Sequence, residues 1–593
     1  MNSETKQCQN CKNQFVIEPE DFDFYEKVKV PAPTFCSDCR QIRRMIWRNE
    51  RGLYTRTCNV LGHDEKIISI FSPDSQFKVY DQNFWWSDDW DPFSYGKEYD
   101  FSKPFFVQFG ELMRDIPHLA LSNPHAVNTE YAQHTFRTKN GYLVSAIAQS
   151  ENVSYANKGF RIKDSMDVYF GGDLDSCYEA VNSRASYKLF FSYGCEDCRD
   201  VWFSYDCRGC SDCFGCVNLR NKSYYIFNQP YTKEEYQKKI KEFDLGSYKA
   251  VEDIKQQREK LLMGFPRKYI YSLKSVNSTG DNIIHSKNCT KCFDVNNLED
   301  SKFVSWGLLG GKDSYDNYGM GAGNELTYEN VFTGEQAAHI YCSSVILSSH
   351  HVSYSYNCHG CSNLFGCVGL RNKQYCIFNK QYTKEEYEAL VPKIIAHMND
   401  MPYADTKGRV YTYGEFFPFE LSPFYYNETI AQEYFPLTKE KATDQGYGWR
   451  EPEERNYNID VSSGSLEDHI KDADGSIIGK VVECAHRGVC NEQCTKAFKI
   501  IKEELQFYKK MNLPLPRICP NCRHYQRLKQ RNPLTLWHRT CQCGGIHSEN
   551  SVYQNTANHA HGANHCGNEF ETTYAPDRPE IVYCEQCYQA EVV

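Results

Sequence analysis

The chain has 593 residues, a formal net charge of −10 and 29 cysteines. This length exceeds what one hydrophobic core supports, so we expect several domains. The chain has no long apolar run, and its first residues, MNSETKQCQNCK, have no apolar segment, so we expect a soluble, cytoplasmic protein without a membrane span. In a reducing compartment, C-x-x-C pairs more often bind metal than form disulfides.

The charge is unevenly distributed along the chain. Residues 1–60 contain 10 Lys and Arg against 8 Asp and Glu, and residues 484–593 contain 13 against 10, which leaves the middle at about −15. We therefore expect any polyanionic partner to contact the ends.

Residues 1–60 form the first predicted element, a small zinc module. Four thiolates in two C-x-x-C pairs match a closed tetrahedral zinc site, and the pairs here are formed by Cys8, Cys11, Cys36 and Cys39. Between the pairs, the FVI segment favours a strand, and the acidic residues around Pro19 favour the first turn of a helix.

A stripe of arginines follows the second pair. Arg40, Arg44 and Arg48 are four residues apart, which places them on one face of a helix. Because guanidinium groups in such a stripe suit phosphate contacts, one hypothesis is RNA or DNA binding. The alternative is that these arginines pair with carboxylates of the acidic middle or of the module itself.

Residues 61–125 are predicted to be an aromatic-rich connecting or capping segment. Its motif WWSDDWD combines ring faces with the carboxylates Asp88, Asp89 and Asp91, which suits sugar binding and acid–base chemistry. A carbohydrate-active solenoid enzyme is therefore an alternative function, whereas the other interpretation is that the tryptophans cap the first coil of the next domain. Since common nucleotide-binding, hydrolase and metalloprotease motifs are absent, a non-enzymatic role is favoured.

The acidic middle contains a second duplication. The segment NLRNK-x-Y-x-IFN at 218–228 recurs, with Gly for the first Asn, at 369–379, and a much shorter period links FSYGCEDC at Phe191 to FSYDCRGC at Phe203. Short β-prone pieces bounded by Asn, Gly and Asp predict a parallel β-solenoid in two stacks, residues 126–230 and 286–380, with a helical insert at 231–285. The sequence leaves open whether one coil of the solenoid contains one such short period or two.

A walk along the chain at the spacing of Phe191 to Phe203 gives the positions expected to point inward. They are Cys177, Leu189, Val201, Cys213 and Tyr225 in the first stack, and Cys292, Val304, Asp316, Tyr328, Ile340, Val352, Leu364 and Cys376 in the second. Only Asp316 is unusual for a residue that points into the solenoid, and its neighbour Tyr315 is the alternative inward residue. Capping boxes at Thr232 and Thr383 predict a helix after each stack.

The middle also contains clustered cysteines whose role the sequence leaves open between core packing, a further metal site and disulfides. The first stack has Cys195, Cys198, Cys207, Cys210, Cys213 and Cys216, and the second retains only Cys358, Cys361 and Cys367 at matching positions. Because Leu364 replaces Cys213, core packing is favoured.

Residues 381–482 are predicted to be a helix followed by an aromatic and proline-rich linker, and residues 483–540 then repeat the first module. The constant offset that aligns Cys36 with Cys519 pairs cysteine with cysteine and arginine with arginine. It predicts a second zinc site at Cys490, Cys494, Cys519 and Cys522, with Cys484 as an alternative ligand. The second arginine stripe consists of Arg523, Arg527 and Arg531.

Residues 541–593 are predicted to form a further zinc ribbon. Its expected ligands are Cys541, Cys566, Cys584 and Cys587. Cys543, His561 and His565 compete for one position of the site.

Both ends share C-x-x-C or a longer variant, a Phe, an acidic residue, Phe-Tyr and P-x-x-C-x-x-C-R. This pattern resembles the bacterial "probable zinc-ribbon domain", a ribbon or treble-clef-like module, and the resemblance implies zinc but no activity. The leading hypothesis is therefore a mostly β, multidomain, non-enzymatic zinc-binding scaffold. Its basic end modules are expected to contact a protein or nucleic acid, and not a membrane.

Overall fold

The computed structural model describes residues 2–451 and 457–592, and most of its strands belong to two parallel sheets. An 11-stranded sheet and a 14-stranded sheet form two solenoid stacks, which confirms the predicted mostly β fold with a central parallel solenoid. The first stack consists of strands Ala132–Gln133, Lys139–Tyr142, Val144–Ala148, Glu151–Ser154, Asn157–Met166, Tyr169–Asp175, Tyr178–Tyr193, Arg199–Trp202, Ser211–Phe214, Ser223–Ile226 and Gln229–Pro230.

One coil of the first stack takes a single period of the sequence, about twelve residues. Ala132 pairs with Val144, and the same step continues to the pair of Ser211 with Ser223. The backbone has a positive φ at every third residue from His134 to Phe227. A coil therefore has four corners with three residues on each side.

These corners are costly for most residue types, because the left-handed conformation costs an L-residue about 1–2 kcal/mol. Hydrogen bonds between coils offset that cost: Asn140 N donates to Val127 O and Asp167 N to Ser154 O. Asn and Asp at exposed corners add side-chain ladders, such as Asn128 to Asn140 to Asn152.

The residue after each corner points into the coil, so every third residue forms the solenoid interior. Four such residues share one cross-section, and they are therefore small, as in Val144, Ile147, Ser150 and Val153, all buried. Buried serines complete the backbone hydrogen bonding, since Ser150 Oγ accepts from Ile162 N one coil later at 3.1 Å. This repeat of every third residue was not predicted from the sequence.

The second stack has the same design with a variable coil length. Its strands are Ser272–Leu273, Gly280–Ile284, Lys287–Thr290, Cys292–Asn296, Leu298–Gly307, Gly311–Met320, Asn324–Gly334, Ala338–Tyr341, Ser344–Leu347, His350–Ser353, Tyr356–His359, Ser362–Phe365, Gln374–Ile377 and Lys380–Gln381.

Three successive coils of this stack are one residue longer than the coils of the first, which corrects the inward row expected there. Residue 298 pairs with residue 311, residue 311 pairs with residue 324, and residue 325 pairs with residue 338. The row from Val304 therefore continues to Asn317 and Asn330, and not to Asp316 and Tyr328. Asp316 occupies a left-handed corner (φ 57°) instead. Neither does Tyr315 point inward: its ring stacks on Phe24 with centroids 3.8 Å apart.

A helix follows each stack, as predicted. Thr232 Oγ1 accepts a hydrogen bond from Glu235 N, and Thr383 Oγ1 accepts one from Glu386 N, both at 3.2 Å. The helices of the chain, α1 to α12 in order, are Pro19–Val28, Ser37–Met45, Gln82–Trp86, Phe105–Asp115, Lys233–Ile240, Tyr248–Met263, Lys384–Asp400, Ile430–Tyr434, Lys439–Asp444, Lys502–Met511, Pro520–Lys529 and Glu585–Val592.

The remaining strands form two-stranded sheets in and beside the end modules. Their pairs are Glu4–Gln7 with Gln14–Ile17, Tyr54–Thr57 with Lys66–Ser69, Val79–Tyr80 with His118–Leu119, Arg267–Lys268 with Val582–Tyr583, Tyr403–Ala404 with Val410–Tyr411, Val482–Glu483 with Ala497–Phe498, and Trp537–Thr540 with Glu569–Thr572. The linker predicted within 381–482 includes residues 452–456, which lie outside the described residues.

The end modules pack on the solenoid crosswise. Helix α2 of the N-terminal module lies on strands Gly311–Met320 and Asn324–Gly334 of the second stack, whereas α11 of the C-terminal copy lies on Tyr169–Asp175 of the first. The helix that begins at the second cysteine pair of each end module therefore packs on the solenoid half that is farther from it in sequence.

Candidate metal centres and their arginine contacts

The first cysteine cluster lies where the N-terminal hairpin meets α2. Its four sulfur atoms lie within 4.8 Å of one another, and they belong to Cys8, Cys11, Cys36 and Cys39. Cys36 immediately precedes α2, and its backbone N donates to Cys8 Sγ at 3.3 Å. A tetrahedral ion with Zn–S bonds of about 2.3 Å places its sulfurs about 3.8 Å apart. The 3.7 Å between Cys11 Sγ and Cys36 Sγ fits that spacing.

Hydrogen bonds couple the thiols of this cluster to one another. Hydrogen bonds with the thiols of Cys36 and Cys39 lower the pKa of Cys8, while the bonds to Cys39 and Cys8 raise the pKa of Cys36. One thiolate is thus stabilised by protons on its neighbours. A dication would replace those protons, because only thiolates are good ligands.

The four-cysteine group of the second cluster includes the alternative ligand Cys484, while Cys490 belongs to a separate candidate group with His486, Glu492 and Cys522, so Cys490 as a ligand stays a prediction. The four sulfurs of the cluster, within 4.8 Å of one another, belong to Cys484, Cys494, Cys519 and Cys522. Cys519 N donates to Cys484 Sγ at 3.2 Å, as Cys36 N does to Cys8 Sγ, so Cys484 is the structural counterpart of Cys8. The longer loop that follows Cys484 hid this correspondence in the sequence. Cys490 Sγ lies beside the cluster, 3.7 Å from Cys522 Sγ.

The third cluster brings together the four cysteines predicted for the last ribbon. They are Cys541, Cys566, Cys584 and Cys587, all buried, with sulfurs within 4.8 Å. Cys584 N donates to Cys541 Sγ at 3.2 Å, which repeats the contact of the other two clusters. None of the three predicted competitors is in this group: Cys543 and His561 lie in a neighbouring one, and His565 is near Glu549 on the surface.

The first arginine stripe is buried against the solenoid. Arg40 and Arg44 are 2% and 0% exposed, and both pair with Asp316, at 2.8 and 3.1 Å. Arg44 also contacts Glu329 at 3.0 Å. Arg48 Nε donates to Glu50 at 2.6 Å.

Arg43, which was not singled out from the sequence, joins this network. Its guanidinium bridges Glu329 at 2.9 Å and Glu415 at 2.8 Å and lies over the Phe35 ring. Burial raises the pKa of Glu329 even though these arginines oppose the shift. Arg43 does not share the four-residue spacing of the stripe, and it is nevertheless buried because α2 is enclosed on more than one face.

The second stripe is buried in the same way, with Arg523 and Arg527 on the first stack and Arg531 at the second stack. Arg523 and Arg527 both pair with Asp167, at 3.5 and 2.6 Å. Arg523 also pairs with Glu504 at 3.0 Å, and Arg531 pairs with Asp294. Burial opposes the charge of Arg523, but Asp167 and the groups around it raise its pKa well above the ordinary value.

The two stripes therefore use equivalent partners. Asp316 and Asp167 both occupy left-handed corners, with φ of 57° and 56°, and each accepts two arginines that match when the end modules are aligned. The sequence left open whether these arginines pair with carboxylates, and the structure contains that pairing. A nucleic-acid interface, which stays a prediction, would need cations other than these six.

The cysteines of the solenoid interior act as small hydrogen-bonding core residues. Cys198 Sγ donates to Glu196 O at 3.2 Å, the carbonyl two residues earlier, which is the bond that interior serines make. Burial raises the pKa of Cys177 to about 12, so its thiol stays protonated. All 29 cysteines lie in the described part of the chain, and all are free thiols there. This geometry supports core packing among the three interpretations.

The tryptophan motif covers the second stack and not the first coil of the solenoid. Trp85 is fully buried, and Arg371 lies over the rings of Trp85 and Trp90 at 5.4 and 5.6 Å. Asp91 accepts a hydrogen bond from Phe93 N at 2.9 Å, which caps a short 3-10 helix. Protein groups therefore cover the rings of Trp85 and Trp90. Trp86, Asp88 and Asp89 are exposed, and a carbohydrate site at this motif stays a prediction.

The chain matches none of the protein-family models and none of the curated proteins with which it was compared. Every helix in the described part of the chain is too short or too polar to cross a membrane.

Proposed function

We propose that this protein is a non-enzymatic zinc-binding scaffold whose three four-cysteine clusters each hold one structural zinc. The observation that supports this most directly is the recurrence of one arrangement: four thiols within 4.8 Å, with a backbone N–H donated to the first of them. Four thiol ligands without an open position are typical of structural zinc.

In this proposal zinc also positions the contacts between domains. Cys36 and Cys519 are the residues that precede α2 and α11, and these helices present the buried arginines. Zinc at each cluster fixes the start of the helix and so aligns the guanidinium groups with Asp316 and Asp167. Metal binding and assembly of the end modules on the solenoid are then coupled.

The wider role that we propose is a rigid platform for a macromolecular partner in a reducing, cytoplasmic environment. The C-x-x-C pairs support the reducing environment, because such pairs in a large chain more often bind metal than form disulfides. Exposed corner ladders such as Asn128, Asn140 and Asn152 offer a regular polar surface for a partner. The buried stripes give no comparable support to nucleic acid.

The test is elemental analysis of the purified full-length chain, together with identification of co-purifying protein and nucleic acid. We expect zinc bound at all three clusters, and co-purifying protein that survives nuclease treatment. A folded chain without metal, or one that contains iron instead of zinc, would contradict the proposal.

A further inference from the structure

A second group of metal-binding side chains lies directly beside the third cysteine cluster. Its members are Cys543, His559, His561 and Cys587, whose ligand atoms also lie within 4.8 Å of one another. Cys587 belongs to both groups. The two groups together contain five cysteines and two histidines, and a bridging Cys587 would give four ligands to each of two ions.

The distances within this group suit a tetrahedral ion. Cys543 Sγ lies 3.7 Å from His559 Nδ1, and His561 Nε2 lies 3.3 Å from Cys587 Sγ. An ion with bonds of about 2.3 Å to sulfur and about 2.0 Å to nitrogen places such ligands about 3.5 Å apart. Both contacts are therefore close to the separation between ligands of one zinc ion.

The outer ring nitrogens of both histidines are held by protein acceptors. His559 Nε2 contacts Glu591 at 2.8 Å, and both side chains are almost completely buried. His561 Nδ1 contacts Asn564 O at 2.7 Å. Metal-binding histidines are typically oriented in this way, by a carboxylate or a carbonyl on the nitrogen that does not bind.

Helix α12 and the loop that supplies the histidines are joined by the same carboxylate. Glu591 accepts hydrogen bonds from Thr556 N at 2.9 Å and Ala557 N at 3.1 Å, so it holds the loop as well as His559. Asn555 Nδ2 donates to Cys543 Sγ at 3.2 Å, which stabilises a thiolate. The Asn-, His- and Gly-rich segment is thus folded around these ligands.

We propose that the C-terminal ribbon holds two zinc ions that share the Cys587 thiolate, the second bound by Cys543, His559 and His561. The inference rests on the proposed zinc in the third cluster, because Cys587 belongs to both. Five thiolates and two neutral imidazoles surrounding two dications leave a net charge of −1. The thiol protons are released to solvent when the ions bind.

The test compares zinc content in full-length variants. We expect four zinc ions per chain in the native protein and three in both Cys543→Ala and His559→Ala. His565→Ala, which changes an exposed histidine of the same segment, is the matched control and should retain four. Three zinc ions in the native chain, unchanged in the Cys543 and His559 variants, would overturn the second ion while leaving the proposed function intact.

A measurement on the native protein covers the case in which a variant does not fold. With 113Cd replacing zinc, two of the resonances should be coupled to each other through the shared sulfur of Cys587. Uncoupled resonances would exclude the bridge. If instead the native protein binds no metal at any of the clusters, the proposed function itself is contradicted.

Discussion

Residues 54–86 form an N-terminal ribbon whose hairpin, Tyr54–Thr57 with Lys66–Ser69, corresponds to the hairpin Trp537–Thr540 with Glu569–Thr572 of the C-terminal ribbon, but the two ribbons are stabilised differently. Asp81 N donates to Cys58 Sγ at 3.4 Å, as Cys584 N does to Cys541 Sγ at 3.2 Å, so Asp81 stands where the C-terminal ribbon has Cys584. The N-terminal ribbon has a long-range apolar core instead of a thiol cluster, with Phe71, Phe77 and Val79 buried. One topology is thus compatible with two sources of stability.

The first modules of the two ends, by contrast, have retained both the thiols and a polar contact between the first helix and the solenoid. Lys302 contacts Asp21 at 2.7 Å, and Tyr155 donates to Glu504 at 2.8 Å, where Asp21 and Glu504 are equivalent positions of the two aligned modules. The thiol cluster and the solenoid contact are thus retained together in both modules.

Loss of a ligand from either first module should have the largest effect. Structural zinc in small modules contributes about 10–16 kcal/mol of apparent binding free energy. Cys39→Ser and Cys522→Ser should each lose one zinc and unfold the local module, while the solenoid strands survive. Zinc analysis, limited proteolysis and circular dichroism measure these outcomes.

Cys490→Ser is the matched control for Cys522→Ser, because Cys490 lies beside the second cluster and Cys484 lies within it. We expect it to retain the full zinc content. Loss of one zinc ion from Cys490→Ser but not from Cys484→Ser would reverse the assignment of the ligand.

The buried carboxylates at the solenoid corners should have the next largest effect. Removing one partner of a buried ion pair typically costs about 3–5 kcal/mol. Asp167→Ala should lower the free energy of unfolding by about this amount, because it leaves Arg527 without its carboxylate. Asp316→Ala should cost less, since Glu329 still contacts Arg40 and Arg44. Denaturant unfolding of both variants measures the difference, and equal losses would contradict it.

Acid should destabilise the N-terminal ribbon through His118. This side chain is buried between Phe71 and Phe77, and burial lowers its pKa from 6.5 to about 4. The unfolded chain therefore binds a proton at a higher pH than the folded one. The stability due to neutral His118 is complete above pH 6.5 and is lost as the pH falls towards 4, by about 3 kcal/mol.

The measurement for His118 is the free energy of unfolding across this pH range in the native protein and in His118→Gln. Glutamine can donate to Met113 O, as His118 Nε2 does, but does not titrate. The variant should show a flatter pH profile, and parallel profiles would contradict the assignment.

The smallest effect is expected for a cysteine of the solenoid interior. Cys177 Sγ contacts Asp175 O at 3.3 Å, and Ser165 in the coil before makes the corresponding bond to Lys163 O at 2.5 Å. Cys177→Ser should therefore change the free energy of unfolding by about 1 kcal/mol or less and leave the zinc content unchanged. A lost metal ion in this variant would mean that the interior thiols are ligands.

Much of the fold was predictable because it is repetitive in sequence. The short period gave the first stack and its inward row from Leu189 to Cys213, and the capping boxes gave the helices that follow both stacks. The longer coils of the second stack were missed because each of the three adds one residue and shifts the inward row. Asp316 was the visible sign of that shift. Since every third residue points inward, three such additions restore the phase, and the predicted positions Ile340 and Val352 do lie in the interior.

The candidate sites were predictable only as far as ligand spacing is local. Two cysteines three residues apart identify a metal site, so the first cluster was predicted completely. Cys484 was predicted only as an alternative ligand, and His559 was not singled out, because the loops that bring them to their clusters leave no fixed spacing in the sequence.

The sequence by itself determined the duplicated modules, the thiol-rich ends and the solenoid, because each follows from a local repeat. Only the tertiary structure decided which face of each module is free. The arginine stripes have the spacing expected of an exposed helix face, yet they are buried against the solenoid. Their burial is possible because Asp316 and Asp167, which are distant in sequence, neutralise the guanidinium groups once the chain has folded.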